Sequence, residues 1–317
     1  MSLKDDINKR ISDLLKKADT NAEKLIAAHE KNLVKAYGNA LKEIKRLILQ
    51  MYEKYGSDVS FADMSSYNRL TNLEQQIADE IKKLTNASIK TTTSALKDLY
   101  SEQFYRAGFA FEQSLGVKLG FGLLNPDVIK ASVLNSLDRI KWTGRMKDHA
   151  KQYVNQIRTE ITQGLIQGSG YGKITKRIVD KTGINASKVI RIVRTEGHRV
   201  QSAGSLLAYD KTQSAADRLG LKTVKVWVAT LDNRTRDSHQ KMDGVEANAD
   251  GVFTLPSGVT AEAPGLSGVA EEDINCRCTT IMQFKDFPPA FRKDNETKQI
   301  IKYKNYEEWK NAKGITA

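Results

Sequence analysis

Apolar residues recur every three or four positions through most of the first hundred residues. Ile7, Ile11, Leu14 and Ala18 begin the series, and Val34, Tyr37, Leu41, Ile44, Ile48, Met51 and Tyr55 extend it. That is the period of an amphipathic helix with one apolar stripe. The first proline is Pro126, and before Gly108 the only glycines are Gly38 and Gly56, so little in this stretch opposes long helices. A break near Gly56-Ser57-Asp58, with the stripe resuming through Leu73, Ile77, Ile81 and Leu84, predicts a helix pair. The pair forms a hairpin or bundle, its stripe buried internally or against a partner.

Residues 108–125 hold Gly108, Gly116, Gly120 and Gly122, after which Asn125-Pro126-Asp127 supplies an N-cap, a proline at N1 and a first-turn acid. A new helical region follows, carried by Trp142, Met146, Tyr153, Ile157, Ile161 and Leu165 and ended by Gly168-Ser169-Gly170-Tyr171-Gly172. Two shorter helices are predicted next, Ile174–Lys181 and about Ser187–Leu207. From Lys222 the texture changes, because Thr223-Val224-Lys225-Val226-Trp227-Val228 alternates at period two in β-favouring residues. Asp243-Gly244 and Pro256–Gly268 read as turn and loop, and Cys276–Phe284 reads as a second strand.

The predicted class is therefore α+β and predominantly helical. A long-helix amino-terminal half precedes a smaller α+β part with few strands. The segments are a helical arm or bundle over 1–124, a basic helical region over 125–221, a small sheet part over 222–285 and an arm over 286–317. The arm is basic, carries Tyr303, Tyr306 and Trp309, and is expected to contain a short docking helix or simply to fray at its end.

Charge adds a functional hint. The chain of 317 residues carries 50 Lys and Arg against 38 Asp and Glu, a net +12, and residues 121–200 alone hold +9. Such an excess favours polyanions. No apolar run approaches the ~18 residues of a membrane span. The start, MSLKDDINKR, has no apolar region behind its charges, so neither a membrane protein nor a secreted one is expected. Cys276 and Cys278 are too few and too close for a disulfide framework, which fits a reducing compartment at synthesis.

The Gly168–Lys173 segment does not make a phosphate loop, since Gln167 and Ile174 stand where glycine and Ser or Thr are needed and a helix precedes it. Around it, Lys173, Lys176, Arg177, Lys181, Lys188, Arg191, Arg194 and Arg199 fall within a few helical turns. They form either a solvated face or a DNA-binding surface, for which Lys173, Lys176, Arg177, Lys188 and Arg191 are the candidates. No zinc-finger, homeodomain or RNP pattern is present, so binding would be directed to the backbone and tolerant of sequence. His29 and His149 lack ligand-spaced partners and read as structural histidines. His239 follows the first strand in a turn, and Cys276-Arg277-Cys278 places both sulfurs on one face of the second. A Cys2His metal site, zinc by its donors, completed by Asp232, His198 or water, is stereochemically open. So are two packed thiols, or a thiol nucleophile oriented by Asp232 or Asp237.

The ordered series Arg194-Thr195-Glu196-x-x-Arg199, Lys225-x-Trp227, Leu231-Asp232-Asn233-Arg234-Thr235-Arg236-x-x-His239, Met242-Asp243-Gly244, Phe253, Pro264-Gly265 and Asn275-Cys276-Arg277-Cys278 resembles the Mu F-like domain of phage head-morphogenesis, or minor head, proteins. The resemblance covers about residues 165–285. It implies a non-enzymatic virion protein in few copies in the head interior, made in the host cytoplasm, contacting portal protein, major capsid or scaffold protein and packaged double-stranded DNA. Some relatives carry cysteines near Arg236 and Ser238, which leaves His239, Cys276 and Cys278 as the matched metal candidates. Arg194, Glu196, Arg199, Trp227 and Asp232 are expected to be structural, with Arg194, Glu196 and Arg199 pairing with buried or loop carboxylates such as Asp232 to hold helix to sheet. The competing readings are a DNA-binding protein with no capsid role and a metal- or thiol-dependent enzyme.

Overall fold

A computed structural model describes residues 3–116, 118–134, 141–218, 221–284, 291–294, 297, 299–302 and 308. Six helices come first: α1 Leu3–Tyr55, α2 Phe61–Ser65, α3 Arg69–Leu115, α4 Pro126–Leu134, α5 Trp142–Ile166 and α6 Tyr171–Arg218. Then follow β1 Thr223–Val228, α7 Asp237–Gln240, β2 Phe253–Thr254, β3 Thr260–Ala261, α8 Ala270–Asp273, β4 Thr279–Phe284, β5 Phe291–Lys293 and β6 Ile300–Lys302. The protein is predominantly helical α+β, as its periodicity predicted. No helix among the described residues is long and apolar enough to cross a membrane.

Local chemistry sets the helix ends. Gly56 takes φ +98° and donates its N–H to Tyr52 O, which stops α1 at the expected break. Ser60 and Asp63 form a capping box that starts α2. The Asn125 side chain accepts from the Asp127 N–H at 2.8 Å ahead of Pro126, as the sequence proposed.

One prediction is corrected here. The two short helices expected at 174–181 and 187–207 are one continuous helix, α6. Gly183 weakens a helix by about 1 kcal/mol relative to alanine, but the buried series Ile178, Thr182, Asn185 and Val189 runs straight past it. Asn185 also bonds within the helix, to Lys181 O at 2.8 Å, and across to Gln156 on α5 at 2.9 Å.

The chain divides into two compact units. One comprises Ala27–Ala95 and Ile140–Val193 and holds helices and no strand among its described residues. Its core joins four helices: Tyr37 packs on Tyr153, Tyr52 on Tyr171, His29 bonds Thr92 at 2.9 Å, and Glu74 pairs with Arg158 at 2.8 Å. Fully buried Ile44, Ile48, Ile77, Ile81, Trp142 and Tyr153 fill it, each worth about 1.5–3 kcal/mol of apolar burial. This unit carries 21 Lys and Arg against 11 Asp and Glu, so +10 of the chain's +12 sits within it.

The other unit comprises Met1–Ile26, Leu96–Arg139 and Arg194–Ala317. Ile11, Leu15, Phe104, Phe111, Tyr209 and Met282 form its main core. Helices α3 and α6 approach so closely that a Cβ on Gly204 would lie 2.7 Å from Tyr100 O. Strands β1 and β4 pair antiparallel, from Thr223 opposite Phe284 to Val228 opposite Thr279. Two smaller antiparallel pairs, β2 with β3 and β5 with β6, complete the strands. The expected second strand thus begins at Thr279, because β1 ends opposite it, and Cys276-Arg277-Cys278 precedes it as extended chain. The expected docking helix, with Tyr303, Tyr306 and Trp309, lies outside the described residues.

Candidate functional site

A second apolar cluster, of Trp227, Ala229, Leu231, Met242, Phe253, Leu255 and Ala261, encloses Cys276 and Cys278. The segment entering β4 supplies both thiols and the short helix α7 supplies His239. Its Nδ1 lies 3.6 Å from Cys276 Sγ and 3.5 Å from Cys278 Sγ. The three ligand atoms sit within 4.8 Å of one another, all on buried residues, and together they can hold a metal ion. Trp227 covers the imidazole edge-on at 5.4 Å and meets Phe253 likewise, which explains its place in the motif.

Glu272 on α8 was not singled out by sequence, yet it orients the site. His239 Nε2 donates to Glu272 Oε2 at 2.9 Å, which leaves Nδ1 facing the sulfurs. Ser257 and Ser238 also donate to this carboxylate. Despite burial, those bonds hold Glu272 below its usual pKa. Burial opposes charge on His239 as well, but the Cys278 sulfur and Glu272 outweigh it and raise its pKa. Hydrogen bonding to Cys278 together with burial pushes the Cys276 thiol well up. The bond from Cys276, with His239, holds Cys278 well down against its own burial. The only sequence signal for Glu272 was an acidic run, Glu271-Glu272-Asp273, just ahead of the cysteines.

Neither side chain offered as a fourth ligand joins the group. His198 on α6 donates Nε2–H to Cys278 O at 2.7 Å, a bond that fixes the backbone of one thiol. Burial depresses its pKa, so it stays neutral. Gly265, at φ +79°, lies against the ring: a Cβ there would fall inside contact distance of Nδ1 and 3.0 Å from Cε1. Ser202, one turn along α6, donates to Pro264 O at 2.7 Å. The Pro264-Gly265 motif is therefore a clasp on α6.

Asp232 is bound by Arg277, bidentate, and by Arg234 at 3.5 Å. It accepts from the Arg234 N–H and the Thr235 hydroxyl too. Burial resists its ionisation, but Arg277 and the Arg234 N–H hold its pKa at about 2. The pairing expected of the helix arginines with a buried carboxylate is seen for Arg199, and the carboxylate is Glu196 rather than Asp232. Arg199 pairs with Glu196 on its own helix at 2.7 Å and donates to Val133 O, because the i,i+3 spacing brings both buried groups together. Arg194 lies on the exposed side of the same helix and is itself engaged.

In the basic helical unit, the five DNA-binding candidates fall on one side of α6, within an arc of about 120° at 100° per residue. Lys173, Lys176 and Arg191 are exposed. Lys188 reaches Gln152 at 3.5 Å. Arg177 differs, because Glu160 on α5 takes it at 3.3 Å and Lys181 at 3.6 Å.

The model for Phage Mu protein F like protein matches residues 155–281, a span that contains His239, Glu272 and both cysteines. Over 305 residues the chain is 33% identical to the minor head protein GP7 of Bacillus phage SPP1, covering 93% of this chain and 96% of that protein. The chain belongs to the phage minor head protein family. A second relative of this minor head family member is 32% identical over 281 residues, covering 88% of the chain. It is the protein of Enterococcus faecalis named NAD(+)–arginine ADP-ribosyltransferase EFV, of whose length the match spans 56%. That name corrects the expectation of a non-enzymatic chain, since a relative of nearly equal identity is named for a transferase activity. An uncharacterized protein of Haemophilus influenzae is 25% identical over 136 residues, covering 43% of the chain and 26% of that protein. No solved structure matches.

Proposed function

We propose that this minor head protein acts in head morphogenesis by binding portal or capsid protein and the packaged double-stranded DNA, from a place in the head interior. The observation that carries the reading is near full-length similarity to a minor head protein, joined to a helical unit that holds +10 of the net charge. Lys173, Lys176, Lys188 and Arg191 on α6 would neutralise duplex phosphates without reading bases. Co-expression with portal and capsid subunits, then gradient sedimentation and mass spectrometry of particles at two salt concentrations, tests it. Co-migration that survives high salt supports a specific head component. Protein left at the top of the gradient, yet binding DNA with a steep salt dependence, favours a DNA-binding role outside the capsid.

Zinc is the metal proposed for the His239, Cys276 and Cys278 group. Tetrahedral zinc with Zn–S near 2.3 Å and Zn–N near 2.0–2.1 Å separates nitrogen from sulfur by about 3.6 Å. The 3.5 and 3.6 Å spacings match that value. Glu272 on the remote imidazole nitrogen is the customary outer partner of a metal-bound histidine. Metal analysis of purified protein, with Cys276→Ser as the control, reads this directly.

A further inference from the structure

We propose that the His239–Cys276–Cys278 centre keeps one coordination position open and takes there the oxygen of a phosphate group, held from the side by arginine. The inference rests on the metal reading above and extends it to a ligand. Beside the three ligand residues lies a cavity of about 230 Å³, also lined by Thr230, Arg234, Thr235, Arg236, Asn275 and Arg277. Three of its lining residues are thus arginines, and no carboxylate residue is among them. The nearby carboxylates are already engaged, Asp232 by Arg277 and Arg234 and Glu272 by His239. Among the described residues, only these three offer metal-binding atoms at this spot. A tetrahedral ion held by three side chains keeps its fourth position for water or a ligand, the arrangement that separates open from closed zinc sites.

Size and charge select the ligand. Pockets for drug-sized molecules run to about 300–1,000 Å³, so this cavity suits a small anion or the end of a larger one rather than an entire nucleotide. Guanidinium matches phosphate oxygens in pairs and remains charged at any accessible pH. Arg234 is the group most free to reach an incoming anion, with its side chain 77% exposed and only a 3.5 Å pairing to Asp232. Arg236 is tied by the carbonyls of Glu272 and Ile274 and shapes the wall instead.

Cobalt(II) substitution of the full chain provides the test. Thiolate-to-cobalt charge transfer that disappears in Cys276→Ser reports the metal centre, and the visible d–d bands report its open position. Titration with inorganic phosphate should shift the d–d bands saturably, acetate should do so at least tenfold more weakly, and Arg234→Gln should weaken phosphate about three- to tenfold while leaving the charge-transfer band intact. A short duplex with 5′-phosphate ends, compared with one bearing 5′-hydroxyl ends, tells a nucleic-acid terminus from free phosphate. Bands that ignore phosphate into the millimolar range, with charge transfer present, overturn the proposal and leave the metal centre standing. No charge transfer in the wild-type chain overturns the metal reading itself.

Discussion

Gly265→Ala tests the clasp between the Pro264-Gly265 loop and α6. Two costs arise, and the structure separates them. Alanine at φ +79° pays about 1–2 kcal/mol for the left-handed conformation. Its Cβ, 3.0 Å from His198 Cε1 and nearer still to Nδ1, also overpacks a ring that cannot swing away without giving up its 2.7 Å bond to Cys278 O. Overpacking of this kind costs about 1–3 kcal/mol, so the whole substitution should cost roughly 2–5 kcal/mol. Urea denaturation followed by tryptophan fluorescence, with Trp227 in the apolar cluster that holds Cys278, measures the loss. Repeating the substitution in a His198→Ala background removes the clash and leaves the backbone cost. The penalty should then fall to about 1–2 kcal/mol. An equal penalty in both backgrounds, or a single-variant loss under 1 kcal/mol, would refute the clasp.

Asp232, held at about 2 against an ordinary 3.8, contributes about 2 kcal/mol of stability above pH 4 that is lost as pH falls toward 2. Asp232→Asn should flatten that part of an acid-denaturation profile, and an unchanged profile contradicts the assignment. Removing Lys173, Lys176, Lys188 and Arg191 together should cut the slope of log affinity for duplex DNA against log salt by about 3–4. Arg177→Ala, because Glu160 already holds this side chain, should change that slope by well under one unit. Zinc at 100 times its dissociation constant should stabilise the folded chain by about 2.7 kcal/mol, seen as a raised Tm that chelator reverses; a Tm indifferent to both speaks against the metal centre. Gly204→Ala should destabilise despite alanine's better helix propensity, since the new methyl meets Tyr100 O at 2.7 Å; a gain in Tm would show that α3 and α6 do not pack as described.

Helices were legible because their signals are local: Ile44 and Ile48 repeat a turn apart, and Asn125-Pro126-Asp127 caps with its own side chain. Gly183 misled because a glycine's local cost is small beside the packing of Thr182 and Asn185 on either side of it. His239, Cys276 and Cys278 could be picked out by chemistry and order, since few residue types bind metals. Glu272 could not, as its role depends on a fold that brings α8 to a histidine 33 residues earlier. For the same reason the pairing of Asp232 with Arg277 could not be read from the chain: Arg277 is 45 residues away in sequence but adjacent in space. The two-unit division was also hidden, because its boundaries fall inside the unbroken stripes of α1, α3 and α6.

That division has a consequence for how the chain comes off the ribosome. The basic unit is complete in sequence at Val193, while the other unit must wait for the segment from Arg194 onward. At about 5–20 residues per second, the stretch from Arg194 to Cys278 alone takes roughly 4–17 s. During it the cationic unit is fully synthesised while the thiols are not. Met1–Ile26 and Leu96–Arg139, made early, meet their partners last. A polyanion or a chaperone therefore encounters the charged unit first, before the unit that carries His239 and both cysteines is made.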